Sequence, residues 1–186
     1  MTELRADARR NREELLEVAR QVIREQGVDA SLRDIARRAG VGIATLYRHF
    51  PTREDLIAAI IGEGIRRLNA RAAELSETKP AGEALEEWLG YIASRIGPYN
   101  GLPAAMDDAI AMDGSPLGAL CADLMDAGDR LLTRAQADGA IRPDVKFPDI
   151  FTAVAAISAI ATRSGPDTST RILNVYIDGL RPSGGN

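Results

Sequence analysis

The sequence predicts an all-α protein, and three observations carry that prediction. Apolar residues recur at three- and four-residue spacing along nearly the whole chain. Strand signals are almost absent: no alternating Val/Ile/Thr run survives for five residues, and no Asn-Gly hairpin appears. The breaks between periodic stretches hold glycine, proline and short polar residues, the usual punctuation of helix ends.

The elements follow in order. From Arg9 to Gln26, Leu15, Leu16, Ala19, Val22 and Ile23 form one stripe, and Gly27 closes the helix as a left-handed cap. Ser31 opens the next helix, with Asp34 three residues on in a capping-box pattern, and Leu32, Ile35, Ala36 and Ala39 as its buried face. Gly40 ends it. A short helix follows at about Ile43 to Phe50, with Leu46 and Phe50 one turn apart, and Pro51 stops it. Thr52 before Arg53-Glu54-Asp55-Leu56 is another cap followed by acids, and it opens a long helix towards Leu75. The stretch SETKPAGE reads as a loop. Glu83 to Ile96 carries Trp88, Leu89 and Ile92. A short helix is expected over Leu102–Met112, and a long one through Leu117, Leu120, Cys121, Leu124, Leu131 and Ala135. Phe147, Ile150, Phe151, Val154, Ile157 and Ala161 line another helix. Ile172, Val175, Tyr176 and Leu180 mark the last, for about nine helices.

A chain of 186 residues suits one compact domain or two small ones. Its single cysteine, Cys121, allows no intrachain disulfide, which fits a reducing compartment. No apolar stretch is long enough to span a bilayer, and the charged start MTELRADARRNREE lacks the apolar run of a secretory signal. A cytoplasmic protein is expected. The net charge is −4, but it is unevenly placed. Residues 1–53 hold 11 Lys+Arg against 8 Asp+Glu (+3), and residues 54–186 hold 12 against 19 (−7). The asymmetry hints at an anion-binding head, residues 1–53, on an acidic body, residues 54–186.

The pair of helices around Gly40 has the helix-turn-helix pattern. Ala36 is small enough for close approach, Gly40 suits a left-handed turn, and Val41 and Leu46 fill the angle between the helices. Ile43, Ala44, Thr45, Tyr47, Arg48 and His49 are then left at or near the outer surface. Hydroxyls, a guanidinium, an imidazole and small apolar groups suit a DNA surface.

The stretch SLRDIARRAGVGIATLYRHFPTREDL resembles the signature of the tetracycline-repressor (TetR) family of bacterial transcription regulators. The resemblance rests on Ile35, Ala36, Ala39, Gly40, Val41, Thr45, Leu46, Tyr47, His49, Phe50 and the TREDL opening. It extends upstream to LLEVARQVIREQGVDASLRDIA; beyond about Leu68 only the helical architecture matches. The resemblance implies a three-helix DNA-binding head and a C-terminal bundle for ligand binding and dimerisation. It implies a homodimer on a palindromic operator, with Thr45, Tyr47 and His49 facing DNA, the last two against phosphates. Ser31, Arg33 and Arg53 would join them from helix starts, where free N–H groups suit phosphates. Gly42, Ile43 and Ala44 depart from the family's usual polar readers, which leaves base reading to Thr45, Arg33, Arg48 and methyl contacts. The bland alternatives are a structural His49, a half-buried Tyr47 and a solvated Arg48. The cluster Arg5, Arg9, Arg10 and Arg12 is either an arm grazing the DNA backbone or a solvated surface.

In the body, Trp88, Tyr91, Tyr99, Met106, Met112 and Cys121 are candidates for lining a pocket that takes a small apolar or amphipathic inducer; ordinary core is the alternative. The small residues of AVAAISAIA, Ala153 to Ala161, permit close helix approach. Helices at about 147–163 and 169–180 are the expected dimer interface. With its single histidine in the DNA motif, no nucleophile set and no phosphate loop, the chain does not read as an enzyme, and no cofactor, metal or membrane partner is expected. The function expected is a ligand-responsive repressor. A DNA-binding dimer without a small-molecule ligand, either an architectural protein or an activator with a protein partner, is the alternative.

Overall fold

The computed structural model describes residues 2–96 and 114–182, apart from the side chains of residues 2–9 and 161–163. The described residues form eight helices and no strand. These are α1 (Thr2–Gln26), α2 (Leu32–Arg38), α3 (Ile43–His49), α4 (Arg53–Thr78), α5 (Ala81–Ile96), α6 (Pro116–Ala137), α7 (Phe147–Ser164) and α8 (Pro166–Gly179). The expected helix at Leu102–Met112 lies outside the described residues.

Two boundaries differ from expectation for simple reasons. Helix α1 begins well before Arg9, because neither glycine nor proline interrupts the preceding stretch. SETKPAGE is mostly helix rather than loop, with only Lys79 and Pro80 between α4 and α5. Thr78 Oγ1 donates to the Glu74 carbonyl at 2.8 Å and Lys79 N–H to Leu75 at 3.0 Å, so the ladder persists until proline removes the donor. The Pro80 carbonyl then accepts from Ala84 N–H at 2.9 Å and starts α5.

The described residues divide into two compact units, 2–63 with 114–120, and 64–96 with 121–182. In the first, α1 packs on α2 and α2 on α3. Leu15, Ala19, Val22 and Ile23 of α1 are buried, as are Ile35, Ala36, Leu46, Phe50, Leu56 and Ile60, so most of the predicted stripes form this core, while Leu16, Leu32 and Ala39 are half-buried. Gly27, at φ 88°, turns the chain out of α1.

The second unit packs α5 on α7 and α7 on α8. Trp88 is fully buried at its centre, and its indole N–H donates to the Leu68 carbonyl at 2.8 Å. The Phe147 ring lies 5.5 Å from Trp88 and 6.2 Å from Phe151, offset distances at which aromatic rings attract. Gly128 of α6 backs onto Phe147, where a Cβ would stand 2.2 Å from ring carbon Cε1. The glycine weakens α6 locally but leaves the ring its space. Gly139 (φ 69°) ends α6, with Gly139 N–H bonded to Gln136 and Ala140 N–H to Ala135, the paired bonds of a Schellman turn. Arg142 N–H then donates to the Leu180 carbonyl at 2.9 Å, which ties this turn to the end of α8.

Candidate nucleic-acid interface

Seven residues make too short a helix to stand alone in water, so α3 persists only because its neighbours hold it. The turn before it is built first. Ala39 ends α2, Gly40 adopts φ 68°, and Gly40 N–H and Val41 N–H bond to the Arg37 and Ala36 carbonyls at 3.2 and 3.0 Å. This is again a Schellman turn, and it needs the left-handed residue that Gly40 supplies. Leu46, fully buried, and Phe50, at 1% exposure, anchor the other side. Each contributes roughly 1.5–3 kcal/mol by leaving water. Val41 is only half-buried, so Leu46 carries most of the wedge expected of the pair.

Three further contacts hold the frame, and of these the sequence singled out only the cap at Thr52. The Arg12 guanidinium sits 5.0 Å above the Phe50 ring, a cation–π contact that ties α1 to the end of α3. Arg53 donates through Nη1 to the Val28 and Ala30 carbonyls, at 2.8 and 2.7 Å. It thereby joins the start of α4 to the α1–α2 turn. Thr52 and Asp55 form a reciprocal cap, with Thr52 N–H donating to Asp55 Oδ2 at 3.0 Å and Asp55 N–H to Thr52 Oγ1 at 3.1 Å.

The capping box expected at Ser31 is absent. Ser31 makes no side-chain cap bond, and Asp34 is drawn instead to Arg37, to Arg38 at 3.0 Å and to Gln26 at 3.3 Å. Charged donors three and four residues on outcompete a backbone N–H for this carboxylate. Hydrogen bonding from Arg37 holds the Asp34 carboxyl below its ordinary range. Arg38, at 2.6 Å, does the same for Glu25 and so links α2 to α1.

Among the residues expected to face DNA, Ser31, Arg33, Ala44, Tyr47 and Arg48 are exposed, while Ile43, Thr45, His49 and Arg53 are half-buried. Tyr47, at 47% exposure, is a large aromatic side chain with little cover, which core packing does not explain. Arg37 and Arg38 are tied to carboxylates, whereas Arg33 makes no ion pair among the described residues. Arg48 Nη2 donates to Thr45 Oγ1 at 2.8 Å. Hydroxyl, phenol, imidazole and guanidinium groups are thus gathered on one short, braced helix. Arg12 is exposed and joins this brace through its contact with the Phe50 ring.

The family-model comparison decides what this head is attached to. Residues 15–60 match the model described as bacterial regulatory proteins, tetR family, and residues 80–182 match that for the C-terminal domain of SbtR-like transcriptional regulators. The protein belongs to the TetR family of transcription regulators. Solved TetR structures agree along the chain. A TetR transcriptional regulator from Streptomyces coelicolor is 37% identical, covering 93% of this chain and 99% of that one, with a TM-score of 0.59. A TetR regulator from Mycobacterium vanbaalenii is 32% identical over 96% of this chain and 99% of that one, with a TM-score of 0.52. FadR from Bacillus subtilis, solved in complex with stearoyl-CoA, shares the fold at 20% identity and a TM-score of 0.67, covering 94% and 99% of the two chains. An HTH-type transcriptional regulator of Staphylococcus aureus is 41% identical over 59 residues, which is 31% of this chain and 32% of that protein. The chain thus spans about a third of the length of the curated relatives it matches.

Of the residues expected to line a ligand pocket, Trp88, Tyr91 and Cys121 are described. Trp88 is core with its N–H satisfied, and Cys121 is fully buried. Tyr91 is half-buried, with the Arg95 guanidinium 5.0 Å from its ring. Tyr99, Met106 and Met112 lie outside the described residues. An open groove of about 670 Å3 runs elsewhere in the second unit, between α4 and α6. Ala72, Ala73, Ala127 and Leu131 supply its apolar lining, and Asn69, Glu77, Asp126 and Arg130 its polar lining. Asn69 Oδ1 is buried there and has no hydrogen-bond partner among the described residues. The sequence hid this groove because its walls come from helices some fifty residues apart. Among the described residues no cluster of three or more His, Cys, Asp or Glu is placed to hold a metal, and no helix is long and apolar enough to cross a membrane.

Proposed function

We propose that this TetR-family regulator is a repressor that binds a palindromic operator as a homodimer and is released by a small amphipathic molecule. The observation that carries the DNA contact is the exposure of Tyr47 on a helix braced from three sides. In this reading Tyr47 and His49 bond phosphates, Ser31 and Arg33 add backbone contacts, and Arg53 acts chiefly by holding the start of α4. Two copies of α3 then enter successive major grooves, about 34–36 Å apart.

Dimerisation through α7 and α8 is supported by Val175 and Ile172, large apolar side chains of α8 at 73% and 38% exposure. A Val175→Glu change would turn the dimer into a monomer in sedimentation experiments; an unchanged dimer would place the interface elsewhere. The groove between α4 and α6 supports the ligand half of the reading. Its apolar floor suits a hydrocarbon body, and Asn69 Oδ1 leaves a buried acceptor that a ligand hydroxyl or amide N–H would satisfy. FadR, which shares the fold, was solved in complex with stearoyl-CoA, and that complex supports the ligand half of the reading. Such a ligand shifts operator affinity only by its differential affinity for the DNA-competent arrangement.

The decisive experiment is selection of bound duplexes from random DNA by the purified protein. A two-fold symmetric motif is the expected result. An affinity that falls steeply with salt, with a log–log slope of roughly −0.9 per neutralised phosphate, is expected on the selected duplex. Failure to enrich any duplex would refute the reading.

A further inference from the structure

Helix α3 begins with residues that have nothing polar to offer bases. Gly42, Ile43 and Ala44 carry no side-chain donor or acceptor, so the first polar group is the Thr45 hydroxyl. That hydroxyl is engaged: Arg48 Nη2 donates to Thr45 Oγ1 at 2.8 Å, one helical turn back. The bond draws the guanidinium towards the N-terminal half of α3. In helix-turn-helix proteins that half of the recognition helix meets the base edges.

The charge state of the neighbourhood favours the same use. Arg37 and Arg38 are paired with carboxylates, whereas Arg48 pairs with none among the described residues. Its single hydrogen bond to a neutral hydroxyl orients the fork and leaves its positive charge unneutralised. A guanidinium fork matches O6 and N7 of guanine, and the bond to Thr45 narrows the positions that fork can take. Beside it, the methyl groups of Ile43 and Ala44 suit the C5-methyl of thymine.

We propose that Arg48, positioned by Thr45, reads a guanine in each operator half-site, with thymine beside it against Ile43 and Ala44. The proposal rests on the DNA-binding reading above and adds the base being read.

The test selects duplexes with the original protein and with Arg48→Ala, Arg48→Lys, Thr45→Val and Thr45→Ser, each checked by circular dichroism for an intact fold. The original protein should select one symmetric guanine per half-site. Arg48→Ala should lose that guanine and keep the other positions, with affinity for the guanine duplex falling roughly tenfold to a hundredfold. On a duplex with that guanine replaced, Arg48→Ala and the original protein should bind nearly alike. Arg48→Lys should keep only part of the preference, Thr45→Val should weaken it, and Thr45→Ser should retain it. If Arg48→Ala weakens every duplex equally and leaves the motif intact, Arg48 sits on a phosphate and the proposal is overturned. If the original protein itself enriches no motif, the failure lies in the DNA-binding reading.

Discussion

Replacing Gly128 by alanine sets two effects of opposite sign against each other. Alanine is favoured over glycine inside a helix by about 0.8–1.0 kcal/mol. At Gly128, however, the new Cβ would stand 2.2 Å from Cε1 and Cζ of Phe147 and 2.4 Å from Cδ1. Carbon atoms settle at about 3.5–4.0 Å, so ring or helix must give by more than about 1 Å. The ring cannot swing aside cheaply, because Phe147 is fully buried and flanked by Trp88 and Phe151. Overpacking of this kind costs about 1–3 kcal/mol. The close approach of three ring carbons points to the upper end, for a net loss of about 2 kcal/mol. Gly64 and Gly90 are the controls, since a Cβ at either position meets nothing within 4 Å. Alanine there should stabilise by about 0.5–1 kcal/mol. Thermal unfolding followed by circular dichroism, at one protein concentration, reads all three. Gly128→Ala should lower the midpoint by about 4–8 °C and the controls should raise it by up to about 4 °C. A Gly128→Ala variant as stable as its Gly64→Ala counterpart would sink the packing argument.

Three other outcomes are expected. Tyr47→Ala or His49→Ala should weaken operator binding by about 1–3 kcal/mol in a titration; Tyr47→Ala should do so with an unchanged melting curve, because that side chain has little cover. Arg53→Met should destabilise the protein by about 1–2 kcal/mol in urea unfolding, since the Val28 and Ala30 carbonyls lose their donor; an unaffected midpoint would show that water replaces the guanidinium without loss. The Glu25–Arg38–Asp34 network should confer stability that is present above the ordinary carboxylate range and lost as pH falls through the folded-state values. Both carboxyls are held below normal, Asp34 chiefly by Arg37 and Glu25 chiefly by Arg38. A Glu25→Gln variant should therefore show a shallower loss of stability on acidification than the original protein.

What the sequence determined by itself is local. Helix periodicity, the left-handed turns at Gly27 and Gly40, the Thr52 cap and the burial of Leu46 and Phe50 are each set by residues within a turn or two of one another. That is also why the helix-turn-helix was legible with most of its outward-facing side chains. Tertiary structure decided where long or shared groups found partners. Arg38 reached across to Glu25 of α1, Arg12 settled on Phe50, and Arg53 reached back more than twenty residues to two carbonyls. Trp88, a pocket candidate from sequence, went to the core because the Leu68 carbonyl and the Phe147 ring satisfy both its N–H and its face. The groove at Asn69 exists only where α4 meets α6. A side chain several bonds long chooses among groups that distant segments bring within reach, and spacing along the chain carries no record of that choice.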